Sequence, residues 1–125
     1  MKLNQQKGLE EAIEELFNLF KTNLERESEV DWNNAEILEN EYIRVIVNDL
    51  PFEVDFRHIP KVLITYFTAP NKKDYNRVDL EFVDGKWEPL YYSELKILGG
   101  FKEHEVQRVI RDYLFYVKKI VGTNK

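Results

Sequence analysis

The chain has no cysteine among its 125 residues. Disulfides, thiolate metal sites and thiol nucleophiles are therefore excluded, and the composition suits a reducing compartment. Histidine is nearly as scarce. His58 and His104 are the two present, neither has a second histidine at helical spacing, and both read as surface residues. Basic residues do not prevail: 18 Lys and Arg against 23 Asp and Glu give a formal charge of -5, which argues against a general nucleic-acid binder. No apolar run approaches membrane-spanning length. The first residues, Met1–Lys7, also lack the apolar core of a signal peptide. The expectation is a soluble cytoplasmic protein with no cofactor.

What is present is ample apolar material. Hydrophobic residues make up 43% and aromatics 14%, enough for a packed core, and the length is that of one domain spanning residues 1–125. Leu9, Ile13, Leu16, Phe17, Phe20 and Leu24 recur at steps of three and four, so the spacing predicts an amphipathic helix over 4–26 with an acidic polar face. From Val30 to Leu90 the pattern changes to short runs rich in β-branched and aromatic residues. Strands are expected at 35–39 and 42–47, paired around Asn40-Glu41, and again at 62–68 and 78–83. Asn48-Asp49 and Asp84-Gly85 carry turn chemistry. Val106, Val109, Ile110, Tyr113, Leu114, Val117, Ile120 and Val121 form one stripe of a final helix that Gly122 can close, preceded by a helical turn over Ser93–Leu98. The predicted fold is a single α+β domain: an N-terminal helix, a four-stranded antiparallel meander and a long C-terminal helix.

The second half also holds a ladder of spaced residues. Leu50-Pro51 is followed by Phe56, Ile59-Pro60-Lys61-Val62, Thr65, Ala69-Pro70-Asn71, Asp79-Leu80-Glu81-Phe82 and Trp87-Glu88-Pro89, with equal steps of eight from Asn71 to Asp79 and from Asp79 to Trp87. This order resembles the core of the ubiquitin-conjugating (UBC-like) superfamily. The resemblance implies a vacated active-site groove at Asn71, Asp79 and Trp87, because Asp79 stands where that family has its nucleophilic cysteine and Ala69 where it has histidine. Ile59 also replaces the family's Tyr before Pro60, and the pair of C-terminal helices is reduced to a turn and one long helix. These losses resemble the non-catalytic ubiquitin-conjugating enzyme variants and RWD domains. They imply a protein-binding role, with a ubiquitin-like protein or a component of its conjugation pathway as partner.

Two other readings use overlapping residues. Asp79, Glu81 and Lys86 imitate the acidic pair and lysine of a small metal-dependent nuclease. However, Asp84-Gly85-Lys86 is better explained as a hairpin turn, and no separately spaced first aspartate is present. Leu98-Gly99-Gly100-Phe101 followed by Val106–Ile110 resembles a helix-turn-helix with Arg108 on its second helix. Against it, Lys96 occupies a position that needs a small residue, and Glu103 and Glu105 would face phosphates.

One surface feature stands apart from these motifs. Phe115 points away from the apolar stripe of the last helix, with Arg108, Arg111 and Lys119 on the same outer side, the composition of an interface anchor with a basic rim. It suits a homodimer or a separate protein partner. The expectation is a non-catalytic protein-interaction module, with a protein partner, no membrane, and nucleic acid disfavoured by the acidic charge.

Without a thiolate the chain is expected to form no covalent carrier intermediate, since a carboxylate at Asp79 is a poor nucleophile whose acyl product hydrolyses quickly. Incubation with activating enzymes, ubiquitin-like proteins and ATP should leave a clean non-reducing gel. A stable adduct mapped to Asp79 or to a lysine would overturn the non-catalytic reading.

Overall fold

Short links dominate the chain between residues 36 and 89 and force neighbour-to-neighbour hairpins. The computed structural model describes residues 2–70, 74–90 and 100–123. Helix α1 spans Lys2–Glu25 and a 3₁₀ turn covers Trp32–Asn34. Strands follow at β1 Glu36–Leu38, β2 Tyr42–Val47, β3 Leu50–His58, β4 Lys61–Phe67, β5 Tyr75–Val83 and β6 Lys86–Pro89, and helix α2 spans Glu103–Thr123. The described strands make one antiparallel sheet in the order β1-β2-β3-β4-β5-β6.

The sheet therefore has six strands rather than the predicted four, and the two additions have physical explanations. β3 begins Leu50-Pro51, and the proline disguised it. Asn48 and Asp49 take positive φ, 51° and 66°, as a two-residue hairpin link requires, so Val47 pairs with Leu50 and Ile46 with Pro51. Next to such a link Pro51 falls at a non-hydrogen-bonded pair, its missing N–H directed away from β2. On that other side, pairing with β4 begins only at Phe52. The proline thus removes no ladder bond. β6 is only four residues long and ends in Pro89, but Asp84 and Gly85, at φ 51° and 79°, fold it directly back onto β5. One smaller difference concerns the end of α2. α2 runs through Gly122 to Thr123 instead of closing there. The expected helical turn at Ser93–Leu98 lies outside the described residues.

Both helices bury their stripes on the same face of the sheet. Leu16, Phe17, Phe20 and Leu24 of α1 and Val106, Ile110, Tyr113 and Val117 of α2 join Ile43, Phe52, Val54, Ile64 and Leu80 in a single core. Phe17 packs on Phe56 of β3 with ring centroids 5.7 Å apart, while Phe52 lies 6.2 Å from Phe20 and 5.0 Å from Tyr113. Between the helices Asn23 is buried, donating to the Leu19 carbonyl at 2.7 Å and accepting from Gln107 at 3.2 Å. That satisfies a polar group whose burial would otherwise be unfavourable.

The start of α2 is fixed twice. The Lys102 amide donates to Glu105 at 2.9 Å, half of a capping box. Just before it, Gly100 has φ 89°, and a Cβ there would lie 2.9 Å from the Lys86 Cβ and 3.2 Å from the Trp87 carbonyl oxygen. Only glycine permits this approach. It lets the Phe101 amide donate to the Trp87 carbonyl at 2.8 Å, tying the helix entry to β6.

Leu114 is buried at the edge of this core beside α2's outer side, where a charge loses most of its hydration. Leu114→Asp is expected to cost about 3 kcal/mol or more and to lower Tm by roughly 10 °C, while an unchanged melting curve would mean that α2 is not docked. The buried phenols supply a second check. Burial pushes the Tyr66 hydroxyl well above the ordinary phenol range, helped by its hydrogen bond to Asp112, and burial does the same for Tyr113, which donates to the Leu50 carbonyl at 2.7 Å. A raised phenol pKa favours folding fully below the ordinary value of about 10 and progressively less as pH rises beyond it. In an alkaline titration followed by tyrosinate absorbance, Tyr66 and Tyr113 should ionise late and together with unfolding. Tyr113→Phe should remove one late-titrating group. Free ionisation of both in the folded state would contradict their burial.

Candidate functional site

Strand alternation sorts the predicted site residues onto different surfaces. Phe82 and Trp87 are register partners whose rings pack at 5.1 Å on the helix-covered face, and the Trp87 indole N–H donates to the Ala12 carbonyl of α1 at 3.3 Å. Asp79 lies between Val78 and Leu80, both core residues, and so points to the opposite face. Asp79 and Trp87 therefore do not meet, and Asn71 lies outside the described residues. The tryptophan is structural, since it joins the β5–β6 hairpin to α1.

Asp79 is nevertheless an unusual residue. It is 5% exposed, and Arg77, two residues earlier on the same face, donates from Nε to its carboxylate at 2.7 Å. Glu81 shares that face, and Lys86, opposite Val83, is a further step along the sheet. Among the described residues no three His, Asp or Glu side chains converge as a metal cage. The acidic residue of the nuclease reading is thus engaged by arginine.

The outer face of the sheet is a set of neutralised pairs. Arg44 of β2 lies 3.2 Å from Glu53 of β3. Asp55 receives Arg57 through two hydrogen bonds of 2.9 and 3.0 Å and lies 3.3 Å from His58, and the Arg57 guanidinium stacks 4.5 Å from the Tyr42 ring centroid. Burial works to raise the Asp55 carboxyl pKa, but the hydrogen bonds and charge of Arg57 outweigh it and hold the group below the ordinary value. Sequence spacing did not single out Asp55. Arg57, two residues on, shares its face, and His58, three residues on, lies at the register shift between Asp55 and His58.

The outer side of α2 is organised differently. Phe115 is 53% exposed, and its ring stacks on Tyr116 at 5.4 Å. With Arg111, Leu114, Lys118, Lys119 and Glu27 it lines a pocket of about 650 Å³. A second pocket of about 260 Å³, lined by Asn23, Arg26, Gln107 and Ile110, shares Glu27 and Arg111 with the first. The two form one groove between the end of α1 and α2. Three of the four residues expected to bind a partner, Arg111, Phe115 and Lys119, thus converge, while Arg108 lies exposed on the same helix beyond the lining. Sequence spacing missed Arg26 and Glu27, because α1 reaches this groove only through the tertiary packing. Lys118 pairs with Glu29 at 3.3 Å.

The DNA-binding reading depends on residues Leu98 and Gly99, which lie outside the described residues. Its second helix has Val106, Val109 and Ile110 committed to the core and Gln107 bonded to Asn23, leaving Arg108 as its exposed member. Among the described residues no helix is long and apolar enough to cross a membrane. Comparison with known proteins adds no relative: no family model, no curated protein and no solved structure matches the chain.

Proposed function

We propose that this chain is a non-catalytic, cytoplasmic protein-binding module that docks its partner on the outer face of α2. The observation that carries the reading is Phe115, half exposed in a groove with Arg111, Lys118 and Lys119. An aromatic anchor rimmed by arginine is the composition in which binding energy concentrates at protein interfaces.

The proposal does not lean on a vacated conjugating-enzyme groove, because Asp79 and Trp87 face opposite sides of the sheet. The UBC-like resemblance still supplies a partner class. Recovery of a ubiquitin-like protein or a conjugation-pathway component with the tagged chain would tie the module to that chemistry.

Phe115→Ala tests the site directly. It should leave stability within about 0.5 kcal/mol, because a truncated surface ring leaves no core cavity, and weaken binding of a purified natural partner about tenfold or more. Titration calorimetry with the two purified components measures both affinity and stoichiometry. A natural partner bound equally well by the substituted chain would return Phe115 to the ordinary exposed surface.

A further inference from the structure

The charge of α2 identifies the kind of partner that its groove accepts. The protein carries a formal charge of -5. Yet beyond Glu105 the exposed positions of α2 among the described residues are Arg108, Arg111, Phe115, Lys118 and Lys119, none of them a carboxylate. Glu105 accepts from the Lys102 amide, and Asp112 is turned inward to the Tyr66 hydroxyl and the Asn76 amide. Among the described residues no carboxylate pairs with Arg108 or Arg111. The contrast with the sheet is sharp, since Arg44, Arg57 and Arg77 there each have a carboxylate within 3.2 Å.

We infer that α2 and the end of α1 form a receptor for an acidic amphipathic helix from a partner protein; the inference rests on the protein-binding reading of this groove. Arg108, Arg111, Phe115 and Lys118 follow one another at steps of three, four and three, so they make one stripe about 15 Å long, a span that roughly three turns of a partner helix would cover. An apolar residue of that helix packs on Phe115 and Leu114 in the larger pocket. Carboxylates on either side meet Arg111 and Lys119, and Arg26 closes the groove from α1.

Other occupants fit less well. Glu103 and Glu105 at the start of α2 lie beyond one end of the cationic stretch, so a phosphate backbone extended past it meets repulsion there. The acidic face of a second copy's α1 has the right charge at Glu10, Glu11, Glu14 and Glu15, but among the described side chains its exposed positions carry no large apolar group to set against Phe115.

The test uses the full chain and a fluorescein-labelled helical peptide of about 16 residues, with leucines one turn apart and glutamates flanking them. Anisotropy should report saturable binding that weakens about tenfold between roughly 50 and 500 mM salt, as screening of several ion pairs requires. Arg111→Glu and Phe115→Ala should each weaken it about tenfold or more, with circular dichroism melts verifying the fold of both variants. A peptide with leucine replaced by serine, and one with glutamate replaced by lysine, should fail to bind. Absence of binding up to roughly 1 mM, or binding indifferent to Arg111→Glu, overturns the inference. So does tighter binding of single-stranded DNA or phosphatidylserine vesicles than of the peptide. Self-association of the chain that Glu14→Lys abolishes would assign the groove to a second copy and overturn it as well. A natural partner that requires Phe115 but presents a neutral or basic segment would sink this inference and leave the protein-binding reading standing.

Discussion

Phe52 sits where three elements must meet. Its ring lies 6.2 Å from Phe20 of α1, 5.8 Å from Tyr66 of β4 and 5.0 Å from Tyr113 of α2, and it is fully buried. Aromatic contacts of this kind contribute modestly each beyond their buried area, but here one residue joins both helices to the sheet. Its position depends on the two-residue turn at Asn48-Asp49. That turn sets the register in which Val45 pairs with Phe52. A one-residue slip would send Phe52, Val54 and Phe56 to the outer face and leave both helical stripes without a surface to cover. Two left-handed residues in a turn thus determine where every large core side chain points.

The same docking creates the groove. α2 is held down by Val106, Ile110, Tyr113 and Val117, and its opposite face is presented to solvent as a consequence. The end of α1 is brought beside it through Asn23, which is bonded to Gln107 and lies 3.5 Å from Glu103. Arg26 and Glu27 become groove residues only through that interhelical contact. Electrostatics then divides the surface. The outer sheet face neutralises its charges across and along strands, and pairs of that exposed kind add little stability. On α2, Arg108 and Arg111 have no carboxylate partner among the described residues.

Local pattern located both long helices, from apolar repeats at 3.6 along stretches such as Leu9–Leu24, and four of the strands, from runs rich in β-branched and aromatic residues such as Tyr42–Val47. It missed β3 and β6, which contain prolines whose harmlessness depends on which side of the strand lacks a neighbour. No count of apolar residues carries that information. The exposure of Phe115 was legible, since a large apolar side chain off the helical stripe falls on the outer side of the helix. The spaced residues Asp79 and Trp87 were misleading as a pair, because their separation of eight says nothing about the two-residue turn between them.

The sequence by itself determined the absence of thiol chemistry, the α+β class, the two amphipathic helices and the basic, aromatic outer side of the second. Each follows from residue identity or from a local repeat, and neither changes when the chain folds. Tertiary structure alone decided that Asp79 is engaged by Arg77 on one face while Trp87 anchors α1 from the other. It also decided that Arg26 lines the groove beside Arg111. These are relations between distant residues, fixed by strand register and by the docking of two helices on one sheet face, and no local repeat encodes them.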